Sequence, residues 1–352
     1  MKIAFVINAI TSGGAERQTV NLAKSLADID GNHLFLFSER KRAGEYPLTN
    51  LVTRLEILKN NLLLDAWQVI KYAKKYDVDV LIGMGIYANW ILCLARFCCH
   101  SKVIVSEMND PRHDRLSKKS RLLRKLLYWR GDGFVFQTEE EKNFYSAGIQ
   151  SKSIVIPNPI CGELPLRNSL PKKRIVAVGR LMPQKNYPLL LKSFSKLHLK
   201  HPDYELHIYG QGEELNSLTK LSEDLKIQDK VFFEGFCLNV HQAIQDSDIY
   251  VMSSDFEGMP NALMEAMGMG FPVVSTDCGG GGPKALIQSG KNGLLTPIGD
   301  ETQLADTVSF LIEHPKEKEK MGKEASKINQ THSLEEIGKK WMDFSLSLIC
   351  KK

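Results

Sequence analysis

The chain has 352 residues, 43% of them hydrophobic, with 46 Lys and Arg against 41 Asp and Glu for a net charge of +5. Its length exceeds one comfortable core and suits about two domains. No run reaches the roughly 18 uninterrupted apolar residues of a membrane span, and no tract is of low complexity. Seven cysteines show no CxxC pair and no Cys/His spacing suited to zinc, so a reduced, cytoplasmic setting is expected.

The first residues, MKIAFVINAI, have no small-residue cleavage site and lead straight into SGGAER, which predicts a buried first strand rather than a signal peptide. A helix over Ala15–Ala27 follows. Strand patterns then come at HLFLFS, VDVLIGM, KVIVSE, GFVFQT and SIVIPNP, with a helical stretch from about Leu64 to Lys75. Strands alternating with helices of this length predict a parallel sheet with helices on both faces. The stretch 161–173 holds two prolines and few large apolar residues, and reads as an interdomain linker. Beyond it the alternation restarts with RIVAVGR, ELHIYGQG, KVFFEGF, DIYVMSS and FPVVSTD. The expected class is therefore α/β, two Rossmann-like doubly wound domains facing across a cleft. The first spans 1–165 and the second 170–334. Open α/β sheets bind ligands at the carboxyl ends of their strands.

Three strand-end segments suit an anionic ligand. Gly13 and Gly14 lie between the first strand and the first helix, where the backbone can approach a phosphate and a helix N-terminus offers N–H groups; a tight turn is the plainer reading. In VGRLMPQKN, Arg180 and Lys185 put two cations beside a strand end, as a diphosphate would require, although loop cations are often only solvated. YGQGEE adds Gly210 and Gly212. In FEGMPNALMEAM, residues 256–267, Pro260 suits a first helical turn, with Glu257 before the helix and Glu265 within it. Carboxylates there can accept sugar hydroxyls; otherwise Glu257 is a helix-dipole partner and Glu265 an exposed polar position.

Taken together, GGAER, VGRLMPQKN, YGQGEE, FEGMPNALMEAM and PVVSTD resemble the retaining family 4 glycosyltransferases of the GT-B fold, in order and spacing along nearly the whole chain. The resemblance implies a catalytic set of Arg180, Lys185 and Glu257. The basic pair would neutralise the donor diphosphate, and Glu257 would hold the transferred sugar. It implies donor contacts at Gly13, Gly14, Gly210, Gly258, Met259, Pro260, Asn261 and Ala262, with Glu265 on the ribose. No cofactor and no metal are implied, and there is no DxD motif. SEMNDP (106–111) is similar to a segment that carries a histidine in many members; here Met108 stands near that place and His113 comes later. Glu107 and Asn109 are the acceptor-side candidates. GGPKALI (281–287) resembles a further family segment, from which no function is read. HSLEEIGKKWMDFSLSLI, giving a last helix at about 335–352, resembles a family feature that crosses back to the first domain.

The stretch from Arg112 to Arg130 contains eight Lys and Arg against Asp114 alone, a net of +7 that exceeds the charge of the whole chain. Leu122, Leu123, Leu126, Leu127 and Trp129 interleave with Arg124 and Lys125, as in a helix lying on an anionic membrane surface; a solvated basic face over core leucines is the alternative. No nucleic-acid module accompanies the charge, and nucleic acid is not an expected partner. The wording of the motifs resembles bacterial transferases that extend undecaprenyl-diphosphate-linked glycans. The expected activity is transfer of a hexose or N-acetylhexosamine from a nucleotide-sugar, with UDP favoured, to a lipid-linked saccharide at the inner face of the cytoplasmic membrane. A nucleotide-sugar 2-epimerase and an inactive nucleotide-sugar-binding protein are the alternatives. An NAD-dependent oxidoreductase is disfavoured by the missing GxGxxG.

Overall fold

A computed structural model describes residues 1–350 apart from 12, 109, 115 and 161. It divides into two compact units, Met1–Cys161 with His332–Lys352, and Gly162–Thr331.

The first unit is built on seven strands: β1 (Lys2–Val6), β2 (His33–Ser38), β3 (Val52–Glu56), β4 (Val80–Met84), β5 (Lys102–Ser106), β6 (Gly133–Phe136) and β7 (Ser153–Val155). Every pairing is parallel, in the order β3-β2-β1-β4-β5-β6-β7. The central strands are near-continuous apolar runs because helices cover both faces of the sheet; VLIGM of β4, for instance, is buried throughout. Two apolar clusters form, one around Leu81, Ile91 and Val105 and the other around Phe5, Ile82 and Trp341. Trp341 lies on the Leu334–Cys350 helix, which packs on the Gly14–Ala27 helix so closely that a Cβ on Gly338 would sit 2.3 Å from Ser25 Oγ.

The second unit carries β8 (Arg174–Val178), β9 (Glu205–Tyr209), β10 (Val231–Gly235), β11 (Ile249–Met252), β12 (Val273–Thr276) and β13 (Leu294–Thr296). They pair in parallel in the order β10-β9-β8-β11-β12-β13. The chain reverses its direction of growth between β8 and β11, which leaves their carboxyl ends at a topological switch point.

Three sequence expectations change. The stretch read as a linker is a strap on the second unit. Arg167 N donates to Met269 O at 2.8 Å and Lys172 N to Asp246 O at 2.7 Å, while the buried Arg167 guanidinium lies between Asp248 and Glu319. Pro260 stands at the N-cap, one residue before the Asn261–Gly268 helix, rather than inside its first turn. β3 and β13 are additional strands: VTRLE lies at the sheet edge with only two apolar residues, Val52 and Leu55, and no regular alternation, and LLT is too short to stand out.

Candidate functional site

The loops that leave β8, β9 and β10 are laced together by backbone. Gly179 N donates to Tyr209 O, Leu181 N to Gln211 O and Gly210 N to Gly235 O, at 2.8 to 2.9 Å. A Cβ on Gly210, whose φ is +151°, would sit 1.9 Å from Gly179 O, and one on Gly212 2.0 Å from Leu181 O. The close approach that Gly210 permits here is to the neighbouring loop, so its glycine is explained before any ligand is considered. Arg180 projects from this platform. It is exposed and carries no ion pair among the described residues.

Lys185 is placed differently. Its stem runs over Gly179, where an added Cβ would meet Lys185 Cε at 3.1 Å, and its Nζ lies 2.6 Å from Glu257 Oε1. Glu257 is buried, and the same oxygen accepts from Ser254 Oγ at 2.8 Å. A charge-assisted bond in so dry a place fixes both side chains. The segments that carry them are clamped as well. Asp255 N donates to Gln184 O, Gln184 Nε2 to Phe256 O, Asn186 Nδ2 to Asp255 Oδ1 and Ser253 Oγ to Lys185 O, all between 2.7 and 2.9 Å. Asn186 adopts φ +45° and caps the Tyr187–Lys200 helix through Leu189 N.

Against the other side of Glu257 lies a run of four glycines, 279–282. Glu257 N donates to Gly279 O at 2.7 Å. A Cβ on Gly280 (φ +92°) would come within 1.9 Å of Glu257 O, and one on Gly282 within 1.7 Å of Gly258 O. Gly258, Met259, Pro260, Asn261 and Ala262 therefore enter their helix pressed against glycine backbone; Met259 and Pro260 are buried. Burial, then the Glu257 charge, pushes the neighbouring Cys278 thiol up to about 12, which keeps it protonated. Glu265, on the Asn261–Gly268 helix, is only 13% exposed, and its Oε2 lies 3.0 Å from His241 Nε2. It is not the exposed polar position that the plainer reading would make it.

In the first unit, Gly13 is the N-cap of the Gly14–Ala27 helix. A Cβ there would lie 1.9 Å from Glu16 Oε2, so the Glu16 carboxylate rests over the helix N-terminus and an incoming phosphate would have to displace it. Glu107 departs from its expected place. It is fully enclosed, accepts hydrogen bonds from the Tyr128 and Tyr145 hydroxyls, and burial drives its carboxyl above the ordinary range. A group so enclosed is not presented to an acceptor. Asn109 lies outside the described residues. Met108 takes up contacts from Ser106 Oγ and Gln137 Nε2 through its sulfur. Buried Asp110 holds both Arg112 and His113. Burial works to raise its carboxyl, but the hydrogen bonds from those two residues outweigh it and keep it low.

The Lys118–Tyr128 helix turns Leu127, Tyr128 and also Arg124 inward; Arg124 and Arg121 both pair with Asp114. Arg124 is thus a core cation, not part of a basic outer face, because Asp114 is folded in beside it. Leu122, Leu126 and Trp129 face outward, each nearly 60% exposed, among Lys118, Lys119 and Lys125.

Ser254, His241, Asn186, Gly280 and Gly282 were not among the residues anticipated. Four consecutive glycines were a visible signal for the last two. Nothing local marks His241, which reaches Glu265 from a short helix, Val240–Ile244.

Residues 12–161 match the family described as Glycosyltransferase Family 4, and residues 165–328 that described as Glycosyl transferases group 1. An uncharacterised glycosyltransferase of Haemophilus influenzae is 28% identical over 350 residues, covering 96% of this chain and 97% of its own. The Campylobacter jejuni GalNAc-alpha-(1->4)-GalNAc-alpha-(1->3)-diNAcBac-PP-undecaprenol alpha-1,4-N-acetyl-D-galactosaminyltransferase is 26% identical, covering 97% of each chain. Among solved structures, Anabaena HepE in complex with UDP superposes with a TM-score of 0.84 at 18% identity, over 99% of this chain and 100% of that one; at that identity the likeness speaks for the fold. With its two halves matched in this order, each by a glycosyltransferase model, the chain is a glycosyltransferase with the GT-B fold.

Proposed function

We propose that this glycosyltransferase moves a hexose or N-acetylhexosamine from a UDP-sugar to a lipid-linked saccharide in bacterial polysaccharide assembly, with retention of anomeric configuration. The observation that carries the reading is the Lys185–Glu257 pair, set beside the exposed Arg180 at the strand ends of the second unit. Arg180 offers a planar fork to the donor diphosphate. Lys185 adds a second charge as the diphosphate leaves, and each cation counts for more in a site that excludes water. When Lys185 turns to the phosphate, Glu257 is freed to accept hydroxyls of the sugar. Glu265, oriented by His241, accepts from the ribose hydroxyls. In this reading the charge on the leaving group is met by side chains alone, without a metal.

Two relatives support the choice of substrates: HepE binds UDP, and the Campylobacter enzyme acts on a PP-undecaprenol saccharide. No helix among the described residues is long and apolar enough to cross a membrane. The outward Leu122, Leu126 and Trp129 among lysines favour peripheral binding to an anionic surface.

A panel of UDP-, GDP- and ADP-sugars tests the donor by thermal shift, followed by product analysis with a lipid-linked acceptor. UDP-sugars alone are expected to raise the melting temperature. An α-linked donor should give an α-linked product by NMR. Stabilisation by GDP- or ADP-sugars only, or an inverted product, would overturn the corresponding part. Lys185→Ala and Glu265→Ala should each lower turnover, the former by about 10²–10³-fold, while keeping the wild-type circular dichroism spectrum.

A further inference from the structure

Within the first unit a cavity of about 580 Å³ lies between the Lys118–Tyr128 helix and the segment 144–152, apart from every residue given a donor role above; Trp129 borders both it and the outward face of that helix. Its volume falls in the roughly 300–1,000 Å³ range of ligand pockets. Trp129, Phe134, Phe144 and Ile149 give it an apolar lining. Tyr128 and Tyr145 border it too, but both hydroxyls are turned onto the buried Glu107, so their ring carbons are what remain for the cavity.

Cations stand around this apolar interior. Arg121 and Arg124 are occupied by Asp114. Lys125 and Lys152 are exposed; neither has a carboxylate partner among the described residues, and Lys152 Nζ only donates to Gly131 O at 3.4 Å. An apolar slot with two unneutralised ammonium groups at its border suits an amphiphile with one chain and an anionic head. A nucleic acid would leave the apolar lining without a partner.

We propose that this cavity holds the apolar chain of a diphosphate-headed isoprenoid lipid, with the head against Lys125 and Lys152. The assignment rests on the lipid-linked acceptor reading and says where on the first unit that lipid is gripped. A single apolar slot with two ammonium groups at its border favours such a single-chain lipid over a two-chain phospholipid.

Gly148 borders the cavity, and a Cβ added there meets nothing within 4 Å, so Gly148→Phe fills the slot without a clash at the backbone. The test is calorimetric titration of the full chain with farnesyl diphosphate, under saturating UDP so that any diphosphate site for the donor is occupied. Wild type is expected to bind. Gly148→Phe, and Lys125→Glu combined with Lys152→Glu, should each weaken binding by about tenfold or more, and so should replacing the probe by inorganic diphosphate or by farnesol. No binding to wild type, equal binding by Gly148→Phe, or equal affinity for inorganic diphosphate would overturn the proposal. Displacement of farnesyl diphosphate by phosphatidylglycerol vesicles would overturn it in favour of a bilayer lipid. UDP-sugar hydrolysis is measured in parallel and should be the same in Gly148→Phe and wild type. Its absence from wild type would sink the donor reading while leaving the titration to judge the cavity.

Discussion

Lys185 Nζ and Glu257 Oε1 meet at 2.6 Å, although 72 residues of sequence separate them. The two groups expected to contact different parts of a donor are thus each other's partner, and among the described residues Ser254 Oγ is the one further donor to that carboxylate oxygen. Removing the lysine alone leaves a buried charge poorly paired. Lys185→Ala is expected to cost about 1.5–3 kcal/mol in unfolding free energy, and about 10²–10³-fold in transfer rate if the cation meets the leaving group. Lys185→Met combined with Glu257→Gln removes both charges and should regain most of the lost stability but none of the activity. Chemical denaturation of wild type and the two variants decides this. A double variant no more stable than Lys185→Ala would show that the pair is not what the single change damages.

His241 and Glu265 offer a quieter test. The imidazole lies 3.0 Å from the carboxylate and sits on a different helix, so it can orient Glu265 without touching the ribose itself. His241→Ala is expected to weaken UDP binding by about three- to tenfold, the value of one ordinary hydrogen bond, with a smaller change in turnover once the donor is saturating. Titration with UDP measures it. A variant that binds UDP as tightly as wild type but turns over slowly would contradict an orienting role.

The glycine run makes a prediction with a built-in control. Gly280 and Gly290 have similar positive φ angles, +92° and +83°, but only at Gly280 would a Cβ strike backbone, 1.9 Å from Glu257 O. Gly280→Ala should therefore push the 257–258 backbone out of place and raise the donor KM, at a stability cost of about 1–3 kcal/mol. Gly290→Ala shares the backbone strain but has open space, and its donor KM should stay at the wild-type value. Equal KM values for the two variants would show that the glycine contact does not hold the Glu257 loop.

How legible this was in the sequence depends on whether a residue's partner is local. Buried parallel strands such as VLIGM and IYVM announce themselves, because both faces are covered and every position is apolar. Glu257 and Glu265 were legible as a pair of carboxylates around a helix start. That one is bound to Lys185 and the other to His241 depends on loops brought together by the sheet. Glu107 misled for the same reason. As SEMND it looks like a polar loop, but Tyr128 and Tyr145 close over it from 21 and 38 residues away. Gly210 shows the converse, a glycine that resembles a ligand contact while its nearest neighbour is the Gly179 carbonyl.

The outward face of the Lys118–Tyr128 helix separates charge from apolar insertion. Lys118 and Lys119 are exposed, as are Leu122, Leu126 and Trp129. Lys118→Glu with Lys119→Glu should abolish co-sedimentation with anionic liposomes at low salt. Trp129→Ser should weaken it at every salt concentration, since an indole's burial in the interface is not screened. Binding by both variants equal to wild type, or no wild-type binding at either salt, would remove this helix from any membrane contact.

The pH dependence of stability has its clearest origin at Glu141. This residue is the buried one of the short Glu139–Asn143 helix, where its own N donates to Thr138 Oγ1 at 3.0 Å and its Oε2 accepts from Gln137 N at 2.8 Å. Its Oε1 has no hydrogen-bond partner among the described residues. Burial raises its pKa from 4.5 to about 8, so the folded chain keeps a proton that the unfolded chain has released. That contribution is complete below about pH 4.5, declines as pH rises above it, and is lost through about pH 8. Glu141→Gln keeps the backbone acceptor and removes the charge. Between pH 6 and pH 9 the wild type should lose on the order of 2 kcal/mol more stability than the variant, read from denaturant midpoints at the two pH values. The same loss in both proteins would place the pH sensitivity elsewhere, whereas a variant that stays flat while wild type falls identifies the buried carboxyl as its source.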